Sequence, residues 1–142
     1  MTARCFVDSN VLVYADDRSA GPKRDQARAL IRELMSARAG VLSLQVLQEY
    51  FAVATRKLGI SPSAARRRIE LLSRLDLVVL DLGDLLAAID LHRLHGFSIW
   101  DARVIRAALK GGCRVLYSED LQDGRRVSGL QVVNPFAAQP KP

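Results

Sequence analysis

The stretch Cys5-Phe6-Val7-Asp8-Ser9-Asn10-Val11-Leu12-Val13-Tyr14 carries the reading of the fold. It is apolar except where Asp8 and Asn10 interrupt it. Residues 4–8 and 11–14 read as a buried first strand, with Asp8 at or near its end. An unpaired carboxylate in a buried strand is expensive, so Asp8 is the acid hardest to explain as surface chemistry. The run is also too short and too polar for a signal-peptide core or a membrane span. That leads to the expectation of a cytoplasmic protein with no membrane partner.

Downstream, short apolar runs alternate with segments of helical period. Gly21-Pro22 opens a helix carrying Ala27, Leu30, Ile31, Leu34 and Met35 at helical spacing. Val41-Leu42 reads as a short strand. Ser43 caps a helix with the stripe Leu44, Leu47, Phe51, Ala54 and Leu58, ending at Gly59. Ser61-Pro62 starts another helix, through Arg74. Leu77 to Leu80 reads as a fully buried strand. Asp84 is expected to cap a helix that stops at Gly96, and Ser98 caps the next, which stops at Gly111-Gly112. Arg114–Tyr117 and Gln131–Val133 close the series as strands. The alternation predicts an α/β fold with a mainly parallel central sheet covered by helices on both faces. In such sheets the functional site lies beyond the carboxyl ends of the strands, where Asp8 and Asp120 fall.

The chain has 142 residues, 49% hydrophobic and 25% charged, with a net charge of +6. This is the balance of one soluble domain with a polyanionic partner. Cys5 and Cys113 lack any zinc-type spacing and read as small buried apolar residues. His92 and His95, the only histidines, fall near a helix end and suit the helix dipole better than catalysis. The run Arg66-Arg67-Arg68 reads as a solvated face.

Asp8, Glu49, Asp101 and Asp120 stand out by position. Glu49 lies almost opposite its helix's stripe, as a solvated residue also would. Asp101 sits three residues after Ser98, the spacing of a capping box. Asp120 fits a turn residue before Gly124. Taken together, four carboxylates converging in a cleft would need a compensating cation. A hard divalent ion with carboxylate and water ligands fits that need, and such an ion can activate water against a phosphodiester.

The segments Phe6–Leu12, Leu42–Tyr50, Ser98–Ala102, Leu116–Gly124 and Val132–Phe136 run in order over nearly the whole chain. In that order they resemble the PIN-domain ribonucleases, specifically the VapC-type toxins of bacterial toxin–antitoxin pairs. The resemblance implies a PIN-like three-layer fold over residues 1–136, with 137–142 as a flexible tail. It implies an Mg²⁺- or Mn²⁺-dependent endoribonuclease whose metal ligands are Asp8, Glu49, Asp101 and Asp120. Asn10 and Ser118 match its supporting polar positions. It further implies an RNA substrate, a VapB-like antitoxin and a homodimer. Glu119 and Asp123 are nearby acids left outside the ligand set. A stand-alone RNA-processing nuclease and a non-catalytic basic RNA-binding module are the alternative readings. A receiver domain would require a lysine near a late strand, and a dehalogenase-type phosphatase an aspartate where Asn10 stands. Arg56, seven residues beyond Glu49 and nearly on its helical face, is the candidate phosphate contact. Arg103 and Arg106 share a helix with Asp101 but not its face.

Overall fold

The computed structural model describes residues 3–137. Most of the tail expected to be flexible, 138–142, lies outside the described residues. Strand β1 (Cys5–Val7) stops one residue before Asp8, and α1 (Ser9–Asp16) follows at once. The expectation that residues 11–14 continue a strand is therefore corrected. Asp8 takes the extended N-cap conformation and its carboxylate accepts a hydrogen bond from the Ser9 N–H, so the chain turns into a helix there. Val11, Leu12 and Ala15 then bury on one helical face. A short apolar run fits a strand or one face of a helix equally well, and the cap decides between them.

Helix α2 (Pro22–Ala37) leads to β2 (Gly40–Ser43), α3 (Leu44–Arg56) and α4 (Pro62–Leu72). Ser43 and Ser61 cap α3 and α4, each accepting a backbone N–H three residues on. The stripe of α3 differs from expectation. Val46, Leu47, Tyr50 and Ala54 are its buried residues, while Leu44 and Phe51 are exposed. Tyr50 donates to Asp16, and so does Arg68, tying α1 to α3 and α4.

β3 (Asp76–Val78) is an edge strand, not a fully buried one: Leu77 is 44% exposed. Helix α5 (Leu82–His95) starts earlier than expected. Asp81 is its N-cap and Asp84 returns the bond to the Asp81 N–H, completing a capping box. The Asp84 carboxylate is buried between Lys110 and Arg106. Lys110 first, with other donors, holds it well below the usual carboxylate range. Arg106 is thus committed to a structural pair. Helix α6 (Ile99–Lys110) leads to β4 (Val115–Tyr117), β5 (Arg126–Val127) and β6 (Leu130–Val133). The hairpin β5–β6 was not anticipated. Its signal is Ser128-Gly129 between Val127 and Leu130: both residues have positive φ, 50° and 85°, as a two-residue primed turn requires.

Among the described residues the six strands form one sheet, ordered β3-β2-β1-β4-β6-β5. Every pairing is parallel except β5 with β6. Phe6, Val7, Val41, Leu116 and Val132 are wholly buried. From β1 the chain builds outward through β2 and β3, then returns to lay β4 on the opposite side of β1. The helices pack as two groups, α1 to α4 and α5 with α6, as right-handed crossovers leaving β1 in opposite directions would place them on opposite faces. The reversal of strand order falls between β1 and β4, where the chains leaving the two strands diverge and open a crevice.

Candidate active site

Asp8 stands at that crevice, directly after β1, and Ser118 directly after β4. The Asp8 N–H donates to the Tyr117 carbonyl (3.0 Å), so the β1–β4 pairing continues to the edge. The Asp8 side chain is buried, with a residue exposure of 6%. One carboxylate oxygen accepts from the Ser9 N–H (2.8 Å), the other from Ser118 Oγ (2.8 Å) and Asn10 Nδ2 (3.3 Å). Burial pushes the Asp8 carboxyl up to about 6, and the nearby charges of Glu49 and Asp120 add to the lift against the Ser118 and Ser9 hydrogen bonds.

Those two neighbours arrive on different elements. Glu49, half-buried on α3, accepts from Ser9 Oγ (2.8 Å) and from Gln45 Nε2 (2.7 Å) one helical turn earlier. The Asp120 N–H donates to Ser118 Oγ (3.2 Å). The Asn10 amide links the parts: its Nδ2 lies 3.2 Å from Asp120 and 3.3 Å from Ser118, while its Oδ1 accepts from the Glu119 N–H (3.2 Å).

Asp101 is placed differently. Ser98 Oγ accepts from the Asp101 N–H (3.0 Å), but the reciprocal bond of a capping box is absent here, unlike in α5. Among the described residues the Asp101 carboxylate has no hydrogen bond or ion pair. Helix α6 feeds the amino end of β4, so its own first turn opens toward the carboxyl edge. Arg103, two residues on, lines a small cleft there with Ser43, Gln45 and Gln48. The structure therefore brings Asp8, Asn10, Glu49, Ser118 and Asp120 together and leaves Asp101 on the neighbouring helix tip. Among the described residues no three acidic, histidine or cysteine side chains converge closely enough to grip one ion.

Sequence reasoning missed several participants. Ser9 has no distinguishing local signal, whereas Gln45 could have been found from its i,i+4 spacing to Glu49. Glu119 is fully engaged, accepting from Tyr14 Oη (2.7 Å) and Lys23 Nζ (2.7 Å). Asp123 accepts from the Asn134 N–H (2.8 Å). Glu119→Gln is expected to lower stability by about 1 kcal/mol through its bonds to Tyr14 and Lys23, and Asp120→Asn by less. Equal losses in the two single variants would remove the distinction. His92 Nδ1 meets the Phe97 carbonyl at the end of α5, so it is a helix-end residue. Arg66 pairs with Glu70 and Arg68 with Asp16, which ties down two of the three consecutive arginines.

An open cleft of about 550 Å³ lies beside Asn10 and Asp120, and Val53 and Lys57 line its α3 wall. Arg56 is exposed in the last turn of α3 and is not part of that wall; Lys57 is. None of Asp8, Glu49, Asp101 and Asp120 takes part in an ion pair among the described residues. Carboxylates without basic partners, buried at Asp8, half-buried at Glu49 and exposed at Asp120, are the donor type that a hard divalent cation takes.

Solved structures share this fold at low identity. A toxin–antitoxin complex from Klebsiella pneumoniae matches with a TM-score of 0.67 at 18% identity, over 94% of this chain and 99% of that one. DNA-bound VapBC from Salmonella typhimurium matches with a TM-score of 0.64 at 18% identity, over 92% and 97%. The sarcin–ricin-loop-cleaving toxin VapC20 of Mycobacterium tuberculosis matches with a TM-score of 0.64 at 20% identity, over 82% and 89%. A search of curated protein sequences finds no match. The sequence profile of the PIN domain matches residues 5–129, an interval that contains all four candidate acids. With the parallel sheet, the acids at its carboxyl edge and this match over most of its length, the chain belongs to the PIN domain family.

Proposed function

We propose that this chain is an Mg²⁺- or Mn²⁺-dependent endoribonuclease and the toxin of a toxin–antitoxin pair, built as one domain over residues 1–136. The observation that carries the reading is the buried Asp8 carboxylate, flanked by Glu49 and Asp120 and without a basic partner. Asp8, Glu49, Asp101 and Asp120 would hold the ion. Asn10 and Ser118 orient Asp8, and Ser9 and Gln45 orient Glu49, by the hydrogen bonds described above. A bound ion supplies activation of water and stabilisation of charge on the phosphoryl oxygen. Lys57, with Arg56 behind it, supplies positive charge for the phosphates flanking the scissile bond.

Chelation is expected to abolish cleavage of RNA, and added Mg²⁺ or Mn²⁺ to restore it. The products should carry 5′-phosphate and 3′-hydroxyl ends, because water is the nucleophile. Full activity in excess EDTA, or cyclic phosphate ends, would overturn the metal mechanism. Arg56→Ala and Lys57→Ala should each flatten the salt dependence of RNA binding by up to about one unit of log–log slope. An unchanged slope for either variant would remove that residue from the phosphate surface.

The toxin reading is supported by the fold shared with VapC20 and with the two toxin–antitoxin complexes. A VapB-like antitoxin is the partner expected to silence the site. Co-expression with the neighbouring small open reading frame should give a stable, inactive complex, and harmless expression with no co-purifying partner would count against it. A homodimer is supported by Leu82, Leu85, Leu86 and Ile89, all exposed along one face of α5. A monomer in sedimentation at micromolar concentration would refute it. Among the described residues no helix is long and apolar enough to cross a membrane.

A further inference from the structure

We infer that Trp100, with Arg103 stacked on it, is a nucleobase platform beside the acidic site, taking an unpaired base of single-stranded RNA next to the scissile phosphate; this rests on the ribonuclease reading above. Trp100 is the only tryptophan of the chain and is 65% exposed in the first turn of α6, adjacent in sequence to Asp101. A ring of that size left in water forgoes much of its burial energy. Position 103 lies one turn on, on the same helical face, and its guanidinium carbon sits over the Trp100 ring, 5.3 Å from the centroid. With one face covered and most of the residue exposed, the other face is open to solvent.

Arg103 has no carboxylate partner among the described residues, whereas Arg106, one turn further, is committed to Asp84. It also lines the cleft that contains Gln45, and Gln45 holds Glu49. The platform and the acids are thus joined along one edge of the sheet: Glu49, Gln45, Arg103, Trp100. An aromatic ring beside a free guanidinium is the chemistry that binds single-stranded nucleic acid, where the base stacks and the cation meets the phosphate. A base held in a duplex cannot offer its face in this way. A second copy of the chain is the less favoured occupant. The exposed leucine stripe of α5 begins at Leu82, whereas Trp100 follows the far end of that helix across a short turn.

The test uses the full chain with Asp8→Asn, which prevents cleavage, and reads the intrinsic fluorescence of Trp100. Adding a single-stranded RNA oligonucleotide should quench the emission saturably, and a duplex of the same sequence should quench it much less. By anisotropy of labelled RNA, Trp100→Ala should weaken binding of the single strand about tenfold, as loss of one stacked base predicts. Trp100→Phe should recover most of the affinity, and Arg103→Ala should lower the salt slope. Unchanged fluorescence at RNA saturation, with Trp100→Ala binding as tightly as its parent, would overturn the platform. So would a blue shift on concentrating the protein without RNA, which would assign Trp100 to an interface between copies. Cleavage by the chain with Asp8 intact is measured separately: robust cleavage alongside a silent Trp100 refutes the platform alone, whereas RNA neither cleaved nor bound refutes the ribonuclease reading with it.

Discussion

Asp8→Asn is expected to abolish RNA cleavage and, at neutral pH, to make the protein more stable. The loss of turnover should be at least about a hundredfold, the upper end of what removing a merely orienting group costs. The gain in stability follows from the same burial. In the folded chain the carboxyl is lifted from 3.8 to about 6, first by desolvation and then by Glu49 and Asp120. Between those values the folded state binds more protons than the unfolded one, so stability falls as pH rises through the window from about 4 to 6. Above it the full penalty, about 3 kcal/mol as an upper figure, is carried by the charged form. Asparagine carries no charge and its Oδ1 can still accept from Ser118 or the Ser9 N–H. Urea unfolding of the metal-free protein should therefore show parent and variant close at pH 4, with the variant ahead by about 1–3 kcal/mol at pH 7.5. A variant less stable than its parent at both pH values would show that the carboxylate contributes net stability. A variant with normal cleavage would remove Asp8 from the site.

Asp101→Asn is expected to cost activity on a similar scale with almost no cost in stability. The backbone N–H that Ser98 caps is retained in the variant, and the Asp101 carboxylate makes no bond that asparagine would lose. Its melting temperature should match the parent within the range of a neutral surface substitution, about 0.5 kcal/mol. Ser98→Ala is the complementary control. It should lower stability by about 1 kcal/mol through loss of the cap while leaving the carboxylate in place. Near-normal cleavage by Asp101→Asn, or a drop in stability as large as that of Ser98→Ala, would make Asp101 a helix-start residue only.

These two acids show how differently a position can be read. Asp8 was conspicuous in the sequence because a carboxylate is costly inside an apolar run, yet its immediate neighbourhood was misread. Residues 11–14 form one face of α1, and the charge that interrupts the strand is also the cap that ends it. Asp101 has two readings three residues from Ser98: its N–H is capped by Ser98 Oγ, but the return bond that completes the capping box in α5 does not form in α6. Glu49 was placed against the wrong stripe. The surface that α3 buries is chosen by α1, α4 and β2, not by the helix's own most apolar positions.

The sequence by itself determined what depends on neighbours within about one helical turn. Ser43, Ser61 and Ser98 cap helices where they were expected to, because a side-chain oxygen satisfying an N–H two or three residues on is a local event. The alternation of strands and helices, and hence a mainly parallel sheet, is legible for the same reason. The tertiary structure alone decided which chain ends meet there. The bond from Ser118 to Asp8 closes a separation of 110 residues, that from Ser9 to Glu49 one of 40. No local pattern encodes such a contact. The second follows from β2 pairing with β1, which brings α3 beside α1, and the first from β4 pairing with β1 on the side away from β2. The β1–β4 pairing buries Asp8 and lifts its carboxyl. It also sets Asn10 between Asp8 and Asp120 and hands the Glu119 carboxylate to Tyr14 and Lys23, so that of two adjacent acids only Asp120 is bonded to the Asn10 amide side chain through its carboxylate.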